Sequence, residues 1–284
     1  MRINLDIDDP RPDSFRLRAV LPTIELLLKN GCSITILSHR GRPNGPDFNF
    51  GLKPAIVSLQ SMVTSQATKL GWLENLRFDP REEKNDEGFA RELAGQGDFY
   101  VNDDFASSHR NHASLAAVKR FLPSYLGLLA EKEMANLAPV KEGPRRPLVF
   151  IIGGSKTAEK SGYAEDFKKI ADEILLGSGF SDREDLNPEE IKHYGDIVKK
   201  AGTVVWNGPV GDISKEQYRE TTAELVRTVA GSPAFTVLGG GSLVDFVISI
   251  GLREKIGYLS TGGGAMLAFL AGREMPGLEI SGLI

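Results

Sequence analysis

Arginine and histidine gather at three places in the first half of this 284-residue sequence. They stand in "SHRGRP" (38–43), "LENLRF" (73–78) and "NDDFASSHRNH" (102–112), each just after a short apolar run. In open parallel sheets, ligands bind beyond the carboxyl ends of the strands. His39, Arg42, Arg77, His109, Arg110 and His112 are therefore expected on one rim, and Arg16, just inside the first helix, can join them. Guanidinium forks match carboxylate and phosphate oxygens bidentately, so such a rim suits a small polyanion. The competing account makes each arginine a surface charge and each histidine the partner of a nearby acid such as Asp103 or Asp104. His109 and His112 lack the compact carboxylate or cysteine set of a metal site, and no residue is assigned as a metal ligand.

The second half carries lysine and glycine instead. "GGSKTAEK" (153–160) sets Lys156 and Lys160 four residues apart near a helix start, where they share a face. The strand-end glycines Gly153 and Gly154 would let a phosphate chain approach, although the spacing is not that of a P-loop. In "TVLGGGSLVDF" (236–246) an apolar run ends in three glycines, and Ser242 follows where a charged ligand is the expectation. "STGGGA" (260–265) opens a helix with bare N–H donors that could stabilise charge on a phosphoryl in flight. The bland accounts are two solvated lysines and tight strand–helix turns. "WNGPVG" (206–211) resists such an account, because Trp-Asn-Gly-Pro at a strand end is costly unless the turn has a task.

These residues need a scaffold, and the apolar pattern supplies one. Strands are expected within 32–38, 98–103, 147–154, 172–179, 203–209, 234–241 and 258–264. Helical patterns fall at 16–30, 86–97 and 128–137, and near 160–170, 188–200, 216–230, 243–250 and 265–271. Strand, glycine turn and helix in repetition predict an α/β fold of parallel sheets flanked by helices. The charged, proline-broken "VKEGPRRPLV" (140–149) predicts a boundary between domains at 1–140 and 141–284. A net charge of −4 gives no indication of a nucleic-acid or anionic-membrane partner. The single Cys32 excludes an internal disulfide framework, and no 18-residue apolar window occurs, so a cytoplasmic protein is the expectation.

The ordered blocks "SHRGRP", "LENLRF", "EEKND", "YVNDDFASSHRNHAS", "GGSKTAEK", "VVWNGPVG" and "STGGGA" run through most of the chain. Together they resemble phosphoglycerate kinase. The resemblance implies two Rossmann-like domains joined by a hinge helix near 128–137, with a C-terminal tail able to return to the first domain. It implies a monomeric glycolytic kinase that binds 3-phosphoglycerate on a basic patch and Mg-ATP or Mg-ADP on the second domain. Hinge closure then permits in-line transfer between a carboxylate oxygen and the nucleotide γ-phosphate, which needs positioning and charge neutralisation rather than a nucleophile. By position, Asn4, Asp6, Arg16, His39, Arg42, Arg77 and Arg110 resemble the substrate-binding residues. Gly153, Ser155, Lys156, Lys160, Gly177, Gly179, Asn207, Gly208, Pro209, Gly240, Gly241 and Ser242 resemble the nucleotide-binding set. Arg16, Lys156, Gly262 and Gly263 take the catalytic roles, Lys156 following the transferring phosphoryl.

Four features depart from the family pattern. Ser242 stands where an acid helps hold the nucleotide's magnesium, and Ser214 where an acid contacts the ribose. Asn4 and Asp6 exchange the usual order of Asp and Asn. "LLGSGF" (175–180) runs almost directly into "DLNP" (185–188), and a shorter piece is missing before 71, so segments that wall the adenine pocket are absent. Three readings follow: a compact active phosphoglycerate kinase, a weak or inactive relative that binds a phosphorylated metabolite, and a kinase of altered nucleotide or acceptor preference.

Overall fold

The computed structural model describes residues 1–63, 67–154 and 157–280. The chain forms two compact units, Met1–Met134 with the segment from Glu274 onward, and Ala135–Arg273.

The first unit contains α1 (Phe15–Lys29), β1 (Ile34–Ile36), α2 (Lys53–Met62), β2 (Leu70–Trp72), α3 (Glu87–Ala94), β3 (Tyr100–Asn102), β4 (Ser124–Leu126) and the start of α4 (Leu128–Glu142). β1 pairs with β2 and β3 with β4, both in parallel. The first residues of the chain lie between these pairs, because Arg2 bridges Leu37 on one side and Asn102 on the other. Arg2 N donates to Val101 O and Ile3 N to Leu37 O, at 2.8 and 3.1 Å. This central strand was not among the expected ones, although its alternation is plain in hindsight. Ile3 and Leu5 are fully buried beside Leu17, Ile24, Leu28 and Ile36, while Arg2, Asn4 and Asp6 take the opposite face. The buried residues of α1 recur at helical spacing, which turns one stripe to this core.

The second unit is one parallel sheet in the order β6–β5–β7–β8–β9. Its strands are β5 (Leu148–Ile152), β6 (Glu173–Leu176), β7 (Thr203–Asn207), β8 (Phe235–Gly239) and β9 (Tyr258–Leu259). Helices α5 (Thr157–Phe167), α6 (Pro188–Val198), α7 (Arg219–Gly231), α8 (Gly241–Ser249) and α9 (Gly264–Leu270) alternate with them. Every residue of β5 and β7 is buried, as central parallel strands require. The strand order reverses between β5 and β7, which makes their carboxyl ends the switch point where such sheets bind ligands.

The expected boundary at 140/141 and the structural division at 134/135 differ because composition marks where the chain turns polar. The division follows where contacts change hands, inside α4. After Arg273 the chain rejoins the first unit, where Gly277 N donates to Ser108 O and Asn102 Nδ2 to Gly277 O, at 2.8 and 2.7 Å.

Candidate active site

The basic rim of the first unit is assembled by the loop after β1 and by the turns at 73–78 and 102–112. Asn75, which is buried, ties two of these together. Its Nδ2 donates to Arg40 O at 2.7 Å and to Phe50 O at 2.9 Å, and its Oδ1 accepts from Arg40 N and Arg77 N. Arg77 is buried, donates to Gly41 O, and places Nε 3.2 Å from Glu83 Oε1. Asp6 Oδ1 accepts from Gly41 N at 2.8 Å, and Arg16 NH1 donates to Asp6 O at 2.9 Å. His39 Nε2 lies 3.4 Å from Arg110 NH1 and 3.9 Å from Asp6 Oδ2. Arg42 is exposed next to Gly41, and its charge is among those acting on Arg110. Asp6, Arg16, His39, Arg77 and Arg110 are thus linked in one cluster, with Arg42 at its edge and Asn4 beneath Asp6.

Arg2 organises this cluster, and the sequence reading missed it. It is fully buried, donates Nε to Ser114 Oγ at 3.0 Å, and approaches His39 Nδ1 with NH2 at 2.6 Å. A guanidinium can only donate, so His39 Nδ1 accepts and the ring proton sits on Nε2, on the Asp6 and Arg110 side. Ser114 in turn donates to Glu82 Oε1 at 2.5 Å and through its backbone N to Oε2 at 2.9 Å. The available signal was the alternation of residues 2–6, which puts Arg2 on the face of Asn4 and Asp6.

Burial, with the nearby charges of Arg2, Arg77 and Arg110, pushes the His39 pKa well below its ordinary 6.5, so the imidazole is neutral. Burial and the same arginines lower His112 to about 3, and burial with Arg110 lowers Arg77 to about 10. An anion seated among these groups would relieve the mutual repulsion that depresses them. Unfolded histidine protonates near pH 6.5 while folded His112 does not, so this residue's contribution is complete above about 6.5 and is lost as pH falls toward 3. Asp103, raised to about 6 by burial, acts in the opposite direction, so the informative quantity is a difference between proteins. His112→Gln should gain thermal stability relative to the parent as pH drops from 7 to 5. A constant difference in melting temperature over that range would contradict the assignment.

In the second unit the expected glycines meet backbone to backbone at the switch point. Gly153 N donates to Asn207 O and Gly154 N to Pro209 O, at 2.8 and 2.7 Å. A Cβ on Gly153 would lie 2.1 Å from Pro209 O, so only glycine fits there. Gly177 N bonds Ile152 O at 2.8 Å, and a Cβ on Gly179 would lie 3.2 Å from Thr157 Cγ2. Buried Trp206 donates Nε1 to Gly208 O at 2.7 Å, so the turn satisfies the indole N–H. Asn207 Nδ2 reaches Gly263 O at 3.0 Å, and Gly208 N reaches Gly239 O at 3.2 Å, joining three turns in one floor. Lys160 Nζ donates to Gly153 O at the edge of this floor. Gly240, at φ +93°, leads into α8, which begins at Gly241 with Ser242 exposed in its first turn. One expectation is corrected: Gly262 is not a bare donor, because its N–H is spent on Ser260 Oγ at 3.0 Å. Ser155 and Lys156 lie outside the described residues.

Magnesium finds no cage in these donors. Ser242 offers a hydroxyl, a weak ligand beside a carboxylate, and Ser214 donates its hydroxyl to Asp212 Oδ1 at 2.6 Å. Among the described residues no three His, Cys, Asp or Glu side chains converge. Among the described residues, these donors do not make up a protein-built metal centre. No helix among the described residues is long and apolar enough to cross a membrane.

The arrangement can hold a multiply charged anion on one unit and a phosphate chain on the other. The family model "Phosphoglycerate kinase" matches residues 3–71, 64–183 and 179–273. The phosphoglycerate kinase of Herpetosiphon aurantiacus is 33% identical, with 97% of this chain and 93% of the relative covered. That of Roseiflexus castenholzii is 34% identical, with 94% and 90% covered. The first alignment spans 366 positions against a chain of 284 residues, so the relative carries internal segments that this chain lacks. Among solved structures, phosphoglycerate kinase from Pyrococcus horikoshii superposes with a TM-score of 0.82 at 25% identity, and that from Coxiella burnetii with 0.80 at 25%. Each covers 98% of this chain and 94% of the solved one.

Proposed function

The chain belongs to the phosphoglycerate kinase family, and from that premise we propose how its residues divide the work of reversible phosphoryl transfer between 1,3-bisphosphoglycerate and ADP. It is a phosphotransferase whose acceptor is a carboxyl group, and the fold is the family's pair of Rossmann-like domains. In this reading the first unit binds 3-phosphoglycerate and the second binds the nucleotide, with magnesium arriving on the nucleotide's phosphates. A monomer in the cytoplasm, bending at α4, completes the proposal.

One observation supports the assignment of substrate above the others. His39, Arg77 and Arg110 are clustered over the buried Arg2, with their proton affinities lowered by burial and mutual repulsion. A phosphate monoester with a carboxylate matches that excess charge and the fork geometry of the arginines. Arg16, His39, Arg42, Arg77 and Arg110 would hold its anionic groups, and Asp6 its hydroxyl. Lys160 and the glycine floor would hold the nucleotide phosphates, while Gly263 and Lys156 would act on the moving phosphoryl. No residue acts as nucleophile. The chain contributes orientation, neutralisation of charge and exclusion of water.

The binding-only reading is not favoured, since the family match extends across both units. The direct test is a coupled assay with 3-phosphoglycerate, ATP and Mg²⁺, in which turnover is expected. Absence of turnover at saturating nucleotide would overturn the reading. Thermal shifts provide a second check by binding linkage. Both 3-phosphoglycerate and Mg-ADP should raise the melting temperature, whereas a rise with phosphoglycerate alone would return the binding-only protein to favour.

A further inference from the structure

Asp104 has no role in the site described so far, yet it is 1% exposed and lies directly beneath that site. Its Oδ2 is 3.0 Å from Arg2 NH1 in a buried ion pair. Its Oδ1 accepts from Ser107 N at 3.0 Å and from Asn4 Nδ2 at 3.2 Å. The same amide nitrogen reaches Ser107 Oγ at 3.3 Å, and Asn4 Oδ1 accepts from Asp6 N at 3.2 Å. Both ends of the Asn4 amide are therefore engaged, one downward on Asp104 and one forward on the backbone of Asp6. Asp6 then presents its carboxylate to Gly41 N and toward His39 Nε2.

This chemistry constrains position 4. The Asn4 amide meets two demands at once, donating to Asp104 through Nδ2 and accepting from Asp6 N through Oδ1, which a carboxylate in its place could not do. An aspartate at position 4 would instead set two carboxylates about 3 Å apart at a partly buried contact, where their repulsion disfavours ionising both. We infer that Asp104 is a positioning residue for phosphoglycerate binding, acting through Asn4 on Asp6. The exchange of Asn and Asp at positions 4 and 6 thus goes with a carboxylate at 104. Of the two carboxylates, Asp104 balances the charge of Arg2, and Asp6 faces the rim at Gly41 N and His39. This inference rests on the reading of the rim as the phosphoglycerate site.

A charge-swap series tests it in the full-length protein. Asn4→Asp should raise KM for 3-phosphoglycerate about tenfold or more, with KM for ATP unchanged within about twofold, because the added repulsion misplaces Asp6. The double variant Asn4→Asp with Asp104→Asn keeps the number of carboxylates and moves one of them. It should return KM for 3-phosphoglycerate to within about threefold of the parent. A purely structural role would lower the melting temperature of Asn4→Asp and leave that KM in place, which would overturn the inference. So would a double variant no better than Asn4→Asp. Asp104→Asn alone is not required, so its failure to fold would leave the outcome decided by the other two. Asp6→Asn separates the two levels. If it raises KM for 3-phosphoglycerate while the swap fails to rescue, the site stands and the coupling through Asn4 falls. If it leaves that KM unchanged, the reading of the rim itself falls, and the inference with it.

Discussion

Replacing Arg2 with methionine should destabilise the first unit by about 3–5 kcal/mol, the cost of leaving a buried partner charge uncompensated. Asp104, 3.0 Å away and buried, would lose its counter-charge, while Ser114 Oγ and His39 Nδ1 would lose their donor. For a unit of this size the loss corresponds to roughly 10 °C or more in melting temperature. Arg2→Lys should recover little of it, because one ammonium cannot span the acceptors that the guanidinium reaches on Ser114, His39, Ile3 and Asp104. Thermal unfolding followed by circular dichroism measures the effect. A melting temperature within about 2 °C of the parent for either variant would show that Arg2 carries no such weight. The strand position explains why the effect should reach the whole unit. The backbone of Arg2 is hydrogen-bonded to Val101 on one side, and through Asp103 N to its own carbonyl, while its neighbours bond Leu37 on the other. Rearranging the side chain would disturb the strand that joins β1 to β3.

Gly153→Ala should lower kcat/KM for ATP about 100-fold, the scale of loss produced by a misplacement near 1 Å. The new Cβ would start 2.1 Å from Pro209 O and 2.7 Å from its carbonyl carbon, both backbone atoms that cannot rotate aside. Relief requires β5 and the turn after β7 to separate by about 1 Å, because real Cβ contacts lie beyond about 3 Å. That movement would break Gly154 N from Pro209 O and displace Gly153 O, the acceptor of the Lys160 ammonium. The damage should stay on the nucleotide side. Stabilisation by 3-phosphoglycerate should persist in the variant, while that by Mg-ADP should fall. A kcat/KM for ATP within threefold of the parent would show that the glycine floor is not the nucleotide surface.

The legibility of the fold differed between the two units for a physical reason. Strands β5 and β7 are continuous apolar runs ended by glycine, so their existence and their ends could be read locally. The first strand could not, because a run that begins Arg-Ile-Asn-Leu-Asp looks like a polar terminus until its partners are known. Those partners, Leu37 and Asn102, are far away in sequence. The rim shows the same contrast. His39, Arg77 and Arg110 were recognisable as residues that end strands, whereas Asn75, Ser114 and Asp104, which hold them in place, carry no pattern of their own. The N–H of Gly262 was expected to face a ligand and instead bonds Ser260 two residues earlier.

Residue types and local periodicity alone determined the alternation of strand, glycine turn and helix, the concentration of arginine in one half and of glycine with lysine in the other, and the anion binding these suit; the phosphoryl transfer came with the family resemblance. Short-range sterics and the two side-chain periods act within a few residues, so they leave their mark in the sequence itself. Only the tertiary structure decided that Arg2 is the buried centre of the rim, that it sets the His39 proton on Nε2, and that Asn4 is committed to Asp104 and Asp6. Each of those outcomes depends on which distant strands pair and how far the assembled groups are removed from water, and the energies of charge and hydrogen bond are fixed by that burial.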